Sequence, residues 1–138
     1  MKRILSIAIA LAAFLAGHVE AAQADEVRWL RDYDQAVDAA RRFQLPLLIY
    51  VTHPRCHFCR QMERETYANS GVTQRLNGRF VTLKIDAAEQ PELAAKLQVT
   101  GFPATLITGP NLRVLDRADG FVQPASFTER LDAVTESP

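Results

Sequence analysis

Cys56 and Cys59 are the only thiols in a chain of 138 residues, and they stand two residues apart in Cys56-His57-Phe58-Cys59. Thiols at this spacing can close a small disulfide ring. The tetrapeptide follows the apolar run Leu45-Pro46-Leu47-Leu48-Ile49-Tyr50-Val51 and opens a helix-like stretch. The first cysteine therefore falls where unpaired backbone N–H groups and the helix dipole favour a thiolate. That is the arrangement of a redox pair. Cys56 is expected to attack as the thiolate and Cys59 to resolve the mixed disulfide, because a helix start exposes the first and shields the second. His53, Arg55, His57 and Arg60 place two permanent and two conditional positive charges around Cys56, with no acid between residues 53 and 60. Such a field stabilises the reduced form and moves the couple from about −270 mV toward about −120 mV. His57, inside the ring, is expected to tune the thiolate together with Arg55 and Arg60, while Phe58 is expected to form a hydrophobic lip for partners.

Other chemistries compete for the same residues. A bridge across two intervening residues closes too short a loop to restrict the unfolded chain much, so it makes a poor structural staple. His53, Cys56, His57 and Cys59 spell His-x-x-Cys-His-x-Cys, a set of soft ligands for Cu(I) or Zn(II), although four ligands within seven residues strain a tetrahedral site. A metal-binding module is thus the alternative to a redox pair, with no resident metal expected. A c-type haem is excluded by Arg60, which stands where Cys-x-x-Cys-His requires histidine. A partner-binding domain with an idle thiol pair is a third possibility. Each tuning residue also has a bland role: His57 and Arg60 as solvated side chains, Phe58 as packing.

The elements that must position these residues follow from periodicity. Asp32 is expected to cap a helix with Tyr33, Ala36, Val37, Ala40 and Phe43 turned inward, and Trp29 to pack beside it. Residues 45–51 read as a central strand covered on both faces, with Pro46 at its start. The helix from Cys56 runs toward Tyr67, Asn69-Ser70-Gly71 ends or bends it into a short helix around Val72 to Leu76, and Asn77-Gly78 stops that one. Phe80 to Ile85 is a second buried strand. Gln90-Pro91 opens another helix with Leu93, Ala94 and Leu97 inward. A strand from Leu106 to Thr108 turns through Gly109-Pro110-Asn111 into a partner at Leu112 to Leu115, and a last helix opens at Gln123-Pro124 with Phe127, Leu131 and Val134 on one face. After the first helix the order is βαβαββα, a mixed sheet between helices with its first strands parallel.

At the N-terminus, Lys2 and Arg3 precede an apolar core from Ile4 to Gly17 and a small-residue stretch ending Ala22-Gln23-Ala24. The core is shorter than the ~20 residues a membrane span needs, so residues 1–24 are expected to be a secretory signal peptide cleaved near Ala24. An uncleaved anchor is the alternative. Residues 25–138 suit one domain, and no repeat or low-complexity tract marks a second boundary. Without Lys2, Arg3 and Glu20 the 16 basic and 16 acidic residues become 14 and 15, a balance that favours neither nucleic acid nor an anionic membrane.

Over essentially all of residues 25–138 the chain resembles the thioredoxin superfamily, and within it exported thioredoxin-like proteins similar to the C-terminal domain of the membrane electron transporter DsbD. Three features carry the resemblance: the strand ending in Cys56-His57-Phe58-Cys59, the strand end Lys84-Ile85-Asp86, and Val99-Thr100-Gly101-Phe102-Pro103-Ala104-Thr105. It implies a thioredoxin-like α/β fold with a central mixed β-sheet flanked by helices. It also implies a cis Phe102-Pro103 bond beside the cysteines, with Phe102 and Pro103 contacting substrate. The implied activity is thiol–disulfide exchange with cysteine-bearing exported proteins, with no cofactor beyond the redox-active Cys56–Cys59 disulfide. A periplasmic monomer supplied with electrons by a DsbD-type membrane transporter would fit, leaning to a dedicated reductant or maturation factor. Three departures stand out: Tyr50 replaces the buried Asp found six residues before the first cysteine, Arg55 replaces the usual Trp, and His57-Phe58 replaces Gly-Pro.

Overall fold

The structure is a computed structural model that describes residues 26–136; the expected signal peptide, residues 1–24, lies outside the described residues. Helix α1 (Tyr33–Phe43) begins where the Asp32 carboxylate accepts the Gln35 N–H at 2.8 Å, and it buries Ala36, Val37 and Ala40. Phe43, expected to face inward, is 62% exposed with the Arg42 guanidinium over its ring. The helix ends at that residue and Gln44, in the left-handed region at φ 52°, turns the chain toward the sheet. The last apolar position is thus left without a surface beneath it.

Strand β1 (Leu47–Thr52) is buried along its whole length, as the apolar run requires of a central strand. It pairs in parallel with β2 (Val81–Asp86), Leu47 opposite Val81 and Thr52 opposite Asp86. On its other side it pairs antiparallel with β3 (Ala104–Thr108), which pairs antiparallel with β4 (Val114–Asp119), giving the order β2-β1-β3-β4. The strand expected at Leu112 to Leu115 begins later and runs further. Leu112 takes a left-handed φ of 64° and the Arg113 N–H is held by the Asn111 side chain, so residues 111–113 belong to the turn. Beyond it an edge strand exposed on one side accommodates Asp116, Arg117 and Asp119, whose polarity hid it.

Between β1 and β2 lie α2 (His57–Gln61), a π-helical segment (Met62–Tyr67) and α3 (Ser70–Arg79). The Asn69 side chain caps α3 by accepting the Gly71 and Val72 N–H groups. The stop expected at Asn77-Gly78 falls one residue later, after Arg79, where Phe80 turns extended. Asn77 instead faces the N-terminal segment, accepting the Arg28 N–H at 3.0 Å and donating to the Glu26 carbonyl at 2.9 Å. Helices α4 (Pro91–Lys96) and α5 (Pro124–Glu136) complete the chain.

Side chains alternate across the sheet. Leu47, Ile49 and Val51 of β1 pack with Leu83, Ile85, Leu106 and the buried faces of α1 and α4. Leu48 and Tyr50 point the other way, into Met62, Tyr67, Leu76, Phe127 and Leu131 from the π-helical segment, α3 and α5. Trp29 packs on this second face against Tyr50 and Tyr67.

Helices α3 and α5 are joined by Asp132, which accepts hydrogen bonds from both Arg75 and Arg79. These bonds, Arg75's foremost, hold the Asp132 carboxyl below its ordinary value. A depressed carboxyl contributes stability that is present above its unfolded value and is lost as pH falls through its folded one. Asp132→Asn is therefore expected to lower the melting midpoint at neutral pH and to converge with the parent in acid, measured by thermal melts between about pH 7 and about pH 2. A gap of constant size down to the lowest pH would assign the loss to packing instead.

Candidate active site

The chain leaves the sheet at Thr52 and enters α2 through Cys56, whose extended backbone (φ −118°, ψ 109°) makes it the N-cap. Its sulfur accepts the Cys59 N–H at 3.1 Å, in the way a serine or aspartate oxygen caps a helix. Cys56 and Cys59 are joined by a disulfide, with Cα atoms 5.2 Å apart. Cys56 is partly exposed whereas Cys59 is 1% exposed. One thiol is thus reachable from solvent and the other lies beneath the first turn of α2.

The residues around the pair separate into a rim and a floor. On the rim, His57 and Phe58 meet edge to face at 5.5 Å, and Phe58 is 56% exposed. The Arg60 guanidinium donates to the Pro54 carbonyl at 3.4 Å, which lays it along the segment entering Cys56. The Arg55 side chain is exposed. The His53 ring stacks on Phe102 at 5.3 Å while its Nδ1 accepts the Arg55 N–H at 3.2 Å. These two contacts let His53 tie the segment before Cys56 to Phe102.

That loop ends in a cis Phe102-Pro103 bond with Pro103 buried. The Gly120 N–H donates to the Pro103 carbonyl at 2.7 Å, and the Arg117 guanidinium donates to the Leu97 and Gln98 carbonyls at 3.1 and 2.9 Å. Phe102 and Pro103 are thereby held at the end of the sheet where β1 delivers the cysteines. His53 and His57 engage different aromatic partners, and among the described residues no group of three or more His, Cys, Asp or Glu side chains is placed to hold a metal ion.

The floor is Tyr50. Its hydroxyl lies 3.3 Å from both the Cys59 carbonyl and Glu63 Oε1, and it donates to each. Glu63 is in turn paired with Lys84 Nζ at 2.7 Å. Burial, reinforced by the adjacent Glu63 carboxylate, pushes the Tyr50 phenol well above its ordinary value, and burial does the same to Tyr67. Tyr50 therefore stays a hydrogen-bond donor at any ordinary pH and takes no proton itself. A cavity of about 310 Å³ lined by Trp29, Glu63, Tyr67 and Lys84 opens beside it.

The comparisons with known proteins agree with this geometry. A family model, Thioredox_DsbH, described as protein of unknown function, DUF255, matches residues 10–120. The chain belongs to this family. Spermatogenesis-associated protein 20 of Homo sapiens is 30% identical over 95 residues, which is 63% of this chain and 12% of that protein. The chain thus spans about an eighth of the length of that curated relative. Among solved structures, a thioredoxin from Thermus thermophilus superimposes with a TM-score of 0.72 at 26% identity, covering 80% of this chain and 88% of that one. The C-terminal domain of Neisseria meningitidis DsbD in its oxidised form superimposes with a TM-score of 0.65 at 21% identity, covering 76% and 97%. The fold is that of the thioredoxin superfamily.

Set within this family, Tyr50 stands where the buried carboxylate was expected, and the carboxylate its hydroxyl touches is that of Glu63, a 38% exposed side chain paired with Lys84. Its signal was in the sequence: four residues after Cys59, it shares a helix face with it. Lys84, noted only as part of a strand end, is its counter-ion because Tyr50 and Lys84 are register partners on β1 and β2. Arg117 left no such signal, since its bonds to residues 97 and 98 span about twenty positions.

Tyr50→Phe keeps the ring and removes only the donor, so urea unfolding is expected to show a loss of about 0.5–1.5 kcal/mol. Glu63→Ala strands the Lys84 charge, so its cost is expected to shrink when Lys84→Ala is already present. Additive costs in that double-mutant cycle would mean the ion pair carries no coupling.

Proposed function

We propose that the chain is a thiol–disulfide oxidoreductase whose working group is the Cys56–Cys59 pair. The observation that carries this reading is the asymmetry of the pair: a disulfide at a helix start between a partly exposed Cys56 and a buried Cys59. A structural bridge has no need of an accessible sulfur.

In the reducing direction the Cys56 thiolate attacks one sulfur of a partner disulfide. A Cys56–partner bond forms, the partner S–S bond breaks, and the released partner thiolate takes a proton from solvent. Cys59 then gives up its proton, and its thiolate attacks Cys56 Sγ. The mixed disulfide breaks and the second partner sulfur leaves as a thiolate. Two electrons have passed to the partner, leaving Cys56–Cys59 oxidised; a dithiol donor returns the pair to its starting state. The Cys59 N–H that caps Cys56 Sγ is already aimed at the atom on which the thiolate charge develops, so no reorganisation is required for it.

The finer assignments rest on the sequence. The residue 1–24 pattern supports export, and with it a periplasmic location and exported proteins as partners. Two cysteines kept as a dithiol in an oxidising compartment require a reductant, for which a membrane transporter of the DsbD type is the natural supplier. On this reading the chain acts as a dedicated reductant or maturation factor.

Two results test the reading. Cys59→Ser is expected to accumulate mixed disulfides with partner proteins and Cys56→Ser none, checked by nonreducing gels after acid trapping; equal trapping by both, or trapping that follows Cys59, would contradict this assignment of roles. His57→Ala is expected to make the couple more reducing, because the reduced form loses an interaction the disulfide never had. Each 1.4 kcal/mol so lost moves the potential by about 30 mV. Redox titration beside Arg55→Ala and Arg60→Ala checks this, and a shift toward a more oxidising couple would remove His57 from the tuning set.

A further inference from the structure

We propose that the face around Cys56 docks an extended protein segment whose reacting cysteine is flanked by Asp or Glu side chains. The proposal rests on the reading that the pair exchanges disulfides, and it names the class of partner.

The charge on this face is uncompensated. Arg55 and Arg60 are exposed and have no ion-pair partner among the described residues. The bond from Arg60 to the Pro54 carbonyl keeps its guanidinium beside the segment entering Cys56. The acids that approach the same end of the sheet are engaged elsewhere. Glu63 pairs with Lys84 and touches Tyr50, Asp119 is held by Arg117, and Asp86 accepts the Ala88 N–H. A partner carboxylate therefore meets two guanidiniums that it need not take from another carboxylate, and each offers a planar fork for bidentate pairing.

The apolar part of the face lies on both sides of the thiol. Phe58 stands two residues after Cys56, and Phe102 is fastened by its stack on His53 to the segment before Cys56. Rings alone would accept any apolar segment. Arg55 and Arg60, which flank the Cys56–Cys59 pair in the chain, supply the discrimination, because opposite charges steer encounter and like charges oppose it.

The step is the exchange already described. The reduced Cys56 thiolate attacks the partner disulfide, one partner thiolate leaves and is protonated, and Cys59 closes the ring to release the other, two electrons passing from this chain to the peptide.

The test uses the full chain, reduced with dithiothreitol and desalted. It is mixed with three synthetic peptide dimers, each joined by one disulfide and differing only in whether Glu, Gln or Lys flanks the cysteine. Second-order rates are read by acid quenching and mass spectrometry, and each is divided by that peptide's rate with dithiothreitol, which removes intrinsic differences in disulfide reactivity. The Glu peptide is expected to react roughly tenfold faster than the Gln peptide at low salt and the Lys peptide slower, with the order collapsing near 0.5 M salt. The Glu-to-Gln ratio is expected to fall toward unity in Arg55→Gln/Arg60→Gln and to persist in Arg55→Lys/Arg60→Lys. Equal rates for the Glu and Gln peptides, or a ratio indifferent to salt and to the Gln substitutions, overturns the docking proposal while leaving the exchange activity standing. Failure to react with any of the three overturns both.

Discussion

The sulfur of Cys56 occupies the place of a helix-capping oxygen, and much else in the molecule serves that position. Capping requires the chain to leave β1 in an extended conformation and to begin α2 at His57, which puts Cys59 under the first turn. Once one sulfur caps and the other is buried, the two thiols are chemically different although they are only three residues apart. The burial of β1 on both faces fixes the point of departure. Its parallel pairing with β2 and antiparallel pairing with β3 bring Lys84 opposite Tyr50 and the Phe102-Pro103 loop to the end of the sheet where β1 delivers the cysteines.

The electrostatics of the site are split between the two faces of this short helix. Outside, Arg55, His57 and Arg60 border the exposed thiol in solvent, where each interaction is screened and small. Inside, the Tyr50 hydroxyl touches the Cys59 carbonyl and the Glu63 carboxylate, whose charge is compensated by Lys84. The rim therefore borders Cys56, and the floor meets the backbone of Cys59.

Much of this was legible from residue types and spacing. The Cys-x-x-Cys at a strand-to-helix junction, the apolar run of β1 and the loop at 99–105 are local patterns whose physics is local, and together they identified the fold and the pair. The misses share a different cause. The bonds of Asn77 to Glu26 and Arg28 join residues about fifty positions apart, which no local pattern announces. The strand expected at Leu112 to Leu115 runs on to Asp119 because an edge strand need bury only one side, which leaves room for Asp116, Arg117 and Asp119. The stack of His53 on Phe102 likewise joins residues far apart in the chain. Glu63 carries a local signal, its four-residue spacing from Cys59 along the helix that packs over Tyr50.

A direct measure of whether this architecture makes a working redox couple is an equilibrium titration of the Cys56–Cys59 pair in dithiol and disulfide buffers of graded potential, with the two states separated after alkylation. The account expects a reversible two-electron transition at or above about −270 mV, because capping and the surrounding cations stabilise the reduced form. A pair that stays closed in buffers more reducing than about −300 mV would be a structural bridge, and the account of Cys56 as an accessible, stabilised thiolate would be wrong.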